Sequence, residues 1–163
     1  MKTLLIVWHS RTGGARQMAE AAAEAARAED GVAVRLVGAA QAGDGDLLAA
    51  DGYLFAAPEN LAALSGPMKD FFDRSYYAAL DRINGRPYGL LVCAGSDGSG
   101  AVRQVERIAT GWRLRTIADP VIVCTHAQTP EAIAAAKTLS PDALAPCRDL
   151  GAALAAGLAL GIF

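Results

Sequence analysis

The chain has little of what marks several common classes of protein. Its 163 residues hold three cysteines, two histidines and 6% aromatics, and its net charge is only −2. Near-neutral charge leaves no electrostatic footprint for nucleic acid. Cys93, Cys124 and Cys147 are widely separated, with no C-x-x-C pair, which argues against a disulfide framework and a zinc site. An odd cysteine count fits a reducing, cytoplasmic compartment. His9 and His126 stand apart with no carboxylate cluster, so no metal site is expected. Long hydrophobic runs are also missing. Residues 3–8 are apolar but are cut off by His9, too short for a signal sequence. Residues 150–163 are apolar over a span shorter than the roughly 20 residues a bilayer requires, so a buried or docking helix is expected there.

What is present is a globular composition, 53% hydrophobic and 20% charged. No linker, repeat or charge run divides it, and one domain over residues 1–163 is expected. Such a length can bury about 70% of the unfolded surface. A rhythm of apolar strand, glycine-rich loop and helix runs through it. Strands are expected at 3–8, 32–37, 52–57 (stopped by Pro58), 88–94 and 120–124. Helices are expected at 14–27, 67–77, 100–114 and 142–161, with a turn near 46–50 and a short helix at 131–137. The run at 3–8 suits a strand covered on both faces, and the alternation at 32–37, which exposes Arg35, suits an edge. This pattern predicts an α/β doubly wound fold with a five-stranded parallel sheet in the order 2-1-3-4-5. Ligands then bind beyond the carboxyl ends of the strands, where strands one and three diverge.

Three loops fall at that edge. The first runs from His9 to Arg16. Ser10 and Thr12 offer hydroxyls, Gly13 and Gly14 let the backbone approach closely, and a helix N-terminus follows, which together make an anion site suited to a phosphate monoester. It is neither a Walker A loop nor G-x-G-x-x-G; an ordinary capped turn is the alternative. The second runs from Pro58 through Glu59, Asn60 and Leu61 to Lys69. Leu61 or Leu64 is placed to cover a flat ring and Asn60 to add a hydrogen bond, whereas a plain connection with Ser65 capping the next helix is the simpler reading. Phe71, Phe72, Tyr76 and Tyr77 read as core or interface packing. The third contains Gly95, Asp97, Gly98 and Gly100, where Asp97 either caps a turn or touches a ligand. Arg11, Arg16, Arg103 and Arg107 lie near this edge as candidates for the phosphates of a donor, or as solvated helix residues.

Three segments carry a resemblance. Ser10-Arg11-Thr12-Gly13-Gly14-Ala15 is similar to the flavodoxin phosphate loop. Residues 50–58 resemble that family's third strand, which ends in Ser/Thr-Pro. Residues 65–74 (Ser-Gly-Pro-Met-Lys-Asp-Phe-Phe-Asp-Arg) match a reductase-type helix start and are the most specific of the three. The chain thus resembles, over nearly its whole length, the flavodoxin-like superfamily, in its branch of NAD(P)H-dependent FMN and quinone reductases. The resemblance implies FMN, its phosphate held by residues 10–15 and its ring lying between 58–61 and 95–100, with NAD(P)H as co-substrate. Ala57 before Pro58 and Ala15 at the end of the phosphate loop depart from the family's hydroxyl residues. No side chain is required as an obligatory acid or base; the cofactor carries the chemistry.

Three readings follow. One is an oxidoreductase passing electrons from a nicotinamide through FMN to a quinone, a flavin or a similar small acceptor. Another is a flavodoxin-type electron carrier without nicotinamide activity. The last is a phosphate-binding or signalling domain of the same shape. The apolar tail and the aromatic helix are candidate surfaces for a homo-oligomer.

Overall fold

The computed structural model describes residues 1–163. Its elements are β1 (Lys2–Trp8), α1 (Gly14–Arg27), β2 (Val32–Gly38), α2 (Asp44–Ala49), β3 (Gly52–Asn60), β4 (Ala63–Leu64), α3 (Gly66–Ala79), β5 (Pro87–Ala94), α4 (Ser99–Gly111), β6 (Arg115–Thr116), β7 (Val121–Cys124), α5 (Pro130–Ala134) and α6 (Pro141–Leu160). The sheet runs β2-β1-β3-β5, with β6 and β7 both pairing to β5 at its outer edge. Every pair is parallel except β3 with β4. The expected order 2-1-3-4-5 is therefore present, with its fifth strand broken into two pieces.

The central strands put alternate side chains into two cores. On one face lie Leu5 and Val7, Tyr53, Phe55 and Ala57, and Leu90 and Val92, packed with α2, α3 and α4. On the other lie Leu4 and Ile6, Leu54 and Ala56, and Leu91 and Cys93, packed with α1 and α6. Phe71 and Phe72 belong to the first core, where Phe72 meets Phe55 at 5.0 Å and Trp112 at 5.2 Å in edge-on contacts. Tyr76 and Tyr77, one turn further along α3, are exposed instead.

Small residues set the spacing on the second face. Alanines of α1 let α6 approach so closely that a Cβ on Gly151 would overlap the Ala22 backbone. Helix α6 is long and apolar enough by composition to cross a bilayer, and begins well before the apolar run at 150–163. It places Leu150, Leu154 and Leu158 in this core.

At the opposite end of the sheet, Arg86 closes the C-terminus of α2. Its guanidinium donates to the carbonyls of Leu48 (3.0 Å) and Ala50 (2.5 Å) and to the Tyr53 hydroxyl (2.9 Å). Burial raises the Tyr53 phenol above its ordinary range, and Arg86 opposes that rise.

One expectation fails at Pro58. Strand β3 does not stop there but continues to Asn60 and turns back as β4. Proline lacks only its own N–H, and its carbonyl still accepts from the Ser65 amide at 3.3 Å.

Gly151→Ala is expected to destabilise the fold by about 1–3 kcal/mol, because the added methyl must push α6 off α1. Urea unfolding of the variant checks this; an unchanged midpoint would show that the helices separate freely.

Candidate functional site

The carboxyl ends of β1, β3 and β5 open into one cleft of about 580 Å³. Residues 9–13 form its first wall. Gly13, at φ +100°, turns the chain into α1, and its amide donates to Ser10 Oγ at 3.0 Å. The Arg11, Thr12, Gly14 and Ala15 amides find no acceptor in the protein. Gly14 rests directly on Cys93 Sγ, where no Cβ fits. The helix therefore begins with free N–H groups and the positive end of its dipole facing the cleft.

The β3–β4 hairpin is the second wall. Its turn residues, Leu61 (φ 51°) and Ala62 (φ 61°), are both left-handed, as in a two-residue hairpin turn that ordinarily takes Asn-Gly. Each non-glycine residue there costs about 1–2 kcal/mol, and surrounding contacts hold the turn. The Leu64 amide donates to Gln104 Oε1 at 2.6 Å, and Gly100 lies against the Ala62 carbonyl with no room for a Cβ. Glu59 reaches across from β3 to accept from the amides of Gly98 (3.0 Å) and Ala101 (3.1 Å). It thereby caps α4, whose own N-cap, Gly98, has no side chain. Leu61 projects fully exposed from the tip.

The third wall combines Gly95 with residues 125–137. Amides of Thr125 and His126 donate to the Ala94 and Gly95 carbonyls at 2.9 and 2.8 Å. Ala127, Ile133 and Ala134 bring further apolar surface to the cleft. The Lys137 ammonium closes α5 by donating to the carbonyls of Ala132, Ile133 and Ala135. This segment is fastened to the first wall, since the Lys137 amide donates to the Thr12 carbonyl at 2.7 Å and Gln17 Nε2 donates to the Lys137 carbonyl at 2.8 Å.

The sequence motifs thus converge unequally. Ser10, Arg11, Thr12, Gly14, Ala15, Pro58, Glu59, Asn60, Leu61 and Gly95 line the cleft. Gly13 shapes the turn beneath it. Asp97 is turned toward Ser99, whose hydroxyl and amide it accepts at 2.7 and 3.3 Å. Gly98 and Gly100 lie behind the hairpin. Leu64 is buried in the first core and unable to cover a ring. Ser65 occupies the N-cap position of α3, but its hydroxyl pairs with His9 Nδ1 at 2.8 Å and makes no helix cap.

A family model described as NADPH-dependent FMN reductase matches residues 38–129, more than half the chain. The chain belongs to the NADPH-dependent FMN reductase family. A flavodoxin from Aquifex aeolicus is 37% identical over 100 residues, covering 61% of this chain and 52% of that relative. The chain thus spans about half the length of this curated relative. Among solved structures, an archaeal flavodoxin has a TM-score of 0.78 at 17% identity, covering 96% of this chain and 98% of its own. A WrbA-like flavodoxin from Agrobacterium tumefaciens has a TM-score of 0.77 at 19% identity, covering 99% of each. At such identities these two likenesses show the flavodoxin-like fold.

Membership makes this reductase-family chain an FMN-binding flavoprotein, and its residues fit the group. Four unpartnered amides at a helix N-terminus suit a phosphate. The cleft volume falls within the roughly 300–1,000 Å³ usual for cofactor sites. Nothing in the sequence reading pointed to Ala127, Ile133 or Ala134, which come from a segment without glycine-rich or charged signature. Cys93, also in the lining, is a buried thiol, and burial, opposed by Lys137, raises its pKa. Glu59 was read as a ligand contact, although its bonds to α4 join two elements 39 and 42 residues apart.

Glu59→Ala is expected to cost about 1–2 kcal/mol through loss of the α4 cap, read as a lowered urea midpoint; no change would show that water replaces the carboxylate. Burial, then the Arg11 guanidinium, holds the His9 imidazole below its ordinary 6.5. The folded state favours the neutral ring, so this contribution is full above pH 6.5 and is lost as pH falls through the lower folded value. Stability should decline as pH falls below 6.5, and less so in His9→Asn; equal declines would remove His9 as the cause.

Proposed function

We propose that this chain is an FMN-dependent oxidoreductase that accepts electrons from NAD(P)H and delivers them to a quinone, a free flavin or a similar small acceptor. FMN, when bound, supplies hydride acceptance and the onward transfer of one or two electrons. In this reading the Ser10 hydroxyl and the free amides of Arg11, Thr12, Gly14 and Ala15 hold the phosphate, with Gly13 setting the turn. Pro58, Asn60, Leu61 and Gly95 flank the ring. Glu59, Asp97, Gly98 and Gly100 are positioning residues, fixing the hairpin against the start of α4. Amides at the hairpin and at Gly95 would stabilise negative charge on a ring beside them.

The observation that carries the proposal is the lining of the cleft. It contains no aromatic side chain; its apolar surface is Leu61, Ile133, proline, cysteine and alanine. A flat ring held there keeps a face open for a second flat ring, as transfer from a nicotinamide requires, and is not sandwiched as in an electron carrier. The whole 1–163 segment acts as one unit in this reading, in the cytoplasm, where its three free thiols persist. Identity to the Aquifex aeolicus flavodoxin favours the second reading, a carrier docking to redox partners.

Mixing the FMN-loaded protein anaerobically with NADPH separates the two. Rapid loss of flavin absorbance is expected of the oxidoreductase. Flavin that binds but stays oxidised would leave the carrier.

A further inference from the structure

Basic side chains in this protein mostly have partners. Seven form ion pairs, among them Arg16 with Glu20 and Arg113 with Asp81. Arg86 and Lys137 donate to carbonyls, and Arg115 lies over the Phe163 ring. Arg103 and Arg107 have none of these partners, as is also true of Arg11, Arg27 and Arg82, but only these two stand together. They stand one turn apart on α4, where two like charges repel. With Ala62, Ala63, Gly100 and Gln104 they frame a groove of about 400 Å³ on the outer flank of the β3–β4 hairpin. The tip of that hairpin, Leu61, borders the cleft.

Groove and cleft are held in fixed relation. Gln104, between the two arginines, accepts from the Leu64 amide, and the Ala62 carbonyl rests on Gly100. The nearby Asp97 carboxylate is engaged by Ser99; it feels Arg103 without pairing to it. Two exposed guanidiniums that form no ion pair, fixed beside the cleft, offer a planar donor geometry that the oxygens of a phosphate match.

We infer that Arg103 and Arg107 bind the adenosine 2′-phosphate of a phosphorylated nicotinamide donor laid across the hairpin, and so select NADPH over NADH. This rests on the oxidoreductase reading above. Arginine is the residue type that accommodates a 2′-phosphate elsewhere, and NADH carries only an uncharged hydroxyl at that position. The hairpin then serves both sites, one flank facing the reacting ring and the other the distant phosphate.

The test is calorimetric titration of the FMN-loaded protein with 2′,5′-ADP, and with 5′-AMP as the probe lacking that phosphate. Wild type should bind 2′,5′-ADP more tightly than 5′-AMP. Arg103→Gln/Arg107→Gln should weaken 2′,5′-ADP by about tenfold or more, while Arg103→Lys/Arg107→Lys retains part of the preference. The ratio of kcat/KM for NADPH over NADH should fall in parallel. Failure of wild type to bind 2′,5′-ADP, or equal binding after the glutamine substitutions, overturns the inference. If 2′,5′-ADP binding depends on the pair while NADPH leaves the flavin oxidised, the phosphate site stands and the oxidoreductase reading falls.

Discussion

Strands β1, β3 and β5 bury both of their faces, and the arrangement of the other elements follows from that burial. Alternate residues of each strand enter opposite cores, so helices must cover the sheet on two sides and every crossover must run from a strand's carboxyl end into a helix. The connections that leave this edge from the three central strands are 9–13, the β3–β4 hairpin and the residues after β5. All three reach the same place because three adjacent parallel strands end there. The cleft is therefore a consequence of topology before any side chain has been chosen to line it.

Within that frame, the walls are fastened to one another by a few polar contacts. Glu59 joins β3 to the start of α4, Gln104 joins α4 back to β4, and Gln17 joins α1 to the segment around Lys137. Each link ties a loop to an element distant in sequence. They account for the survival of a left-handed Leu61–Ala62 turn that the local chain would not choose, since a strained turn persists only where its surroundings over-determine it. The first amides of α1 are left without acceptors in the same framework.

Legibility followed the range of the interaction. The strand rhythm and sheet order were readable because hydrophobic periodicity is local and strong. The loop at 10–15 that lines the cleft was readable because hydroxyls, glycines and a helix start lie within six residues. The hairpin was not, because Pro58 signals an end and Leu61–Ala62 carries no turn signature. The break between β6 and β7 escaped for a like reason, as two residues of strand are too few to show a period.

By itself, the sequence determined the doubly wound architecture, the sheet edge where the cleft opens and the loops that meet there, because all of these follow from patterns along a single stretch of chain. Tertiary structure alone decided that Glu59 caps α4, that Ser65 pairs with His9, that Leu64 is core while Leu61 is rim, and that Ile133 reaches the cleft. Which partner a polar or apolar group finds depends on elements tens of residues away, and the chain carries no local record of that choice.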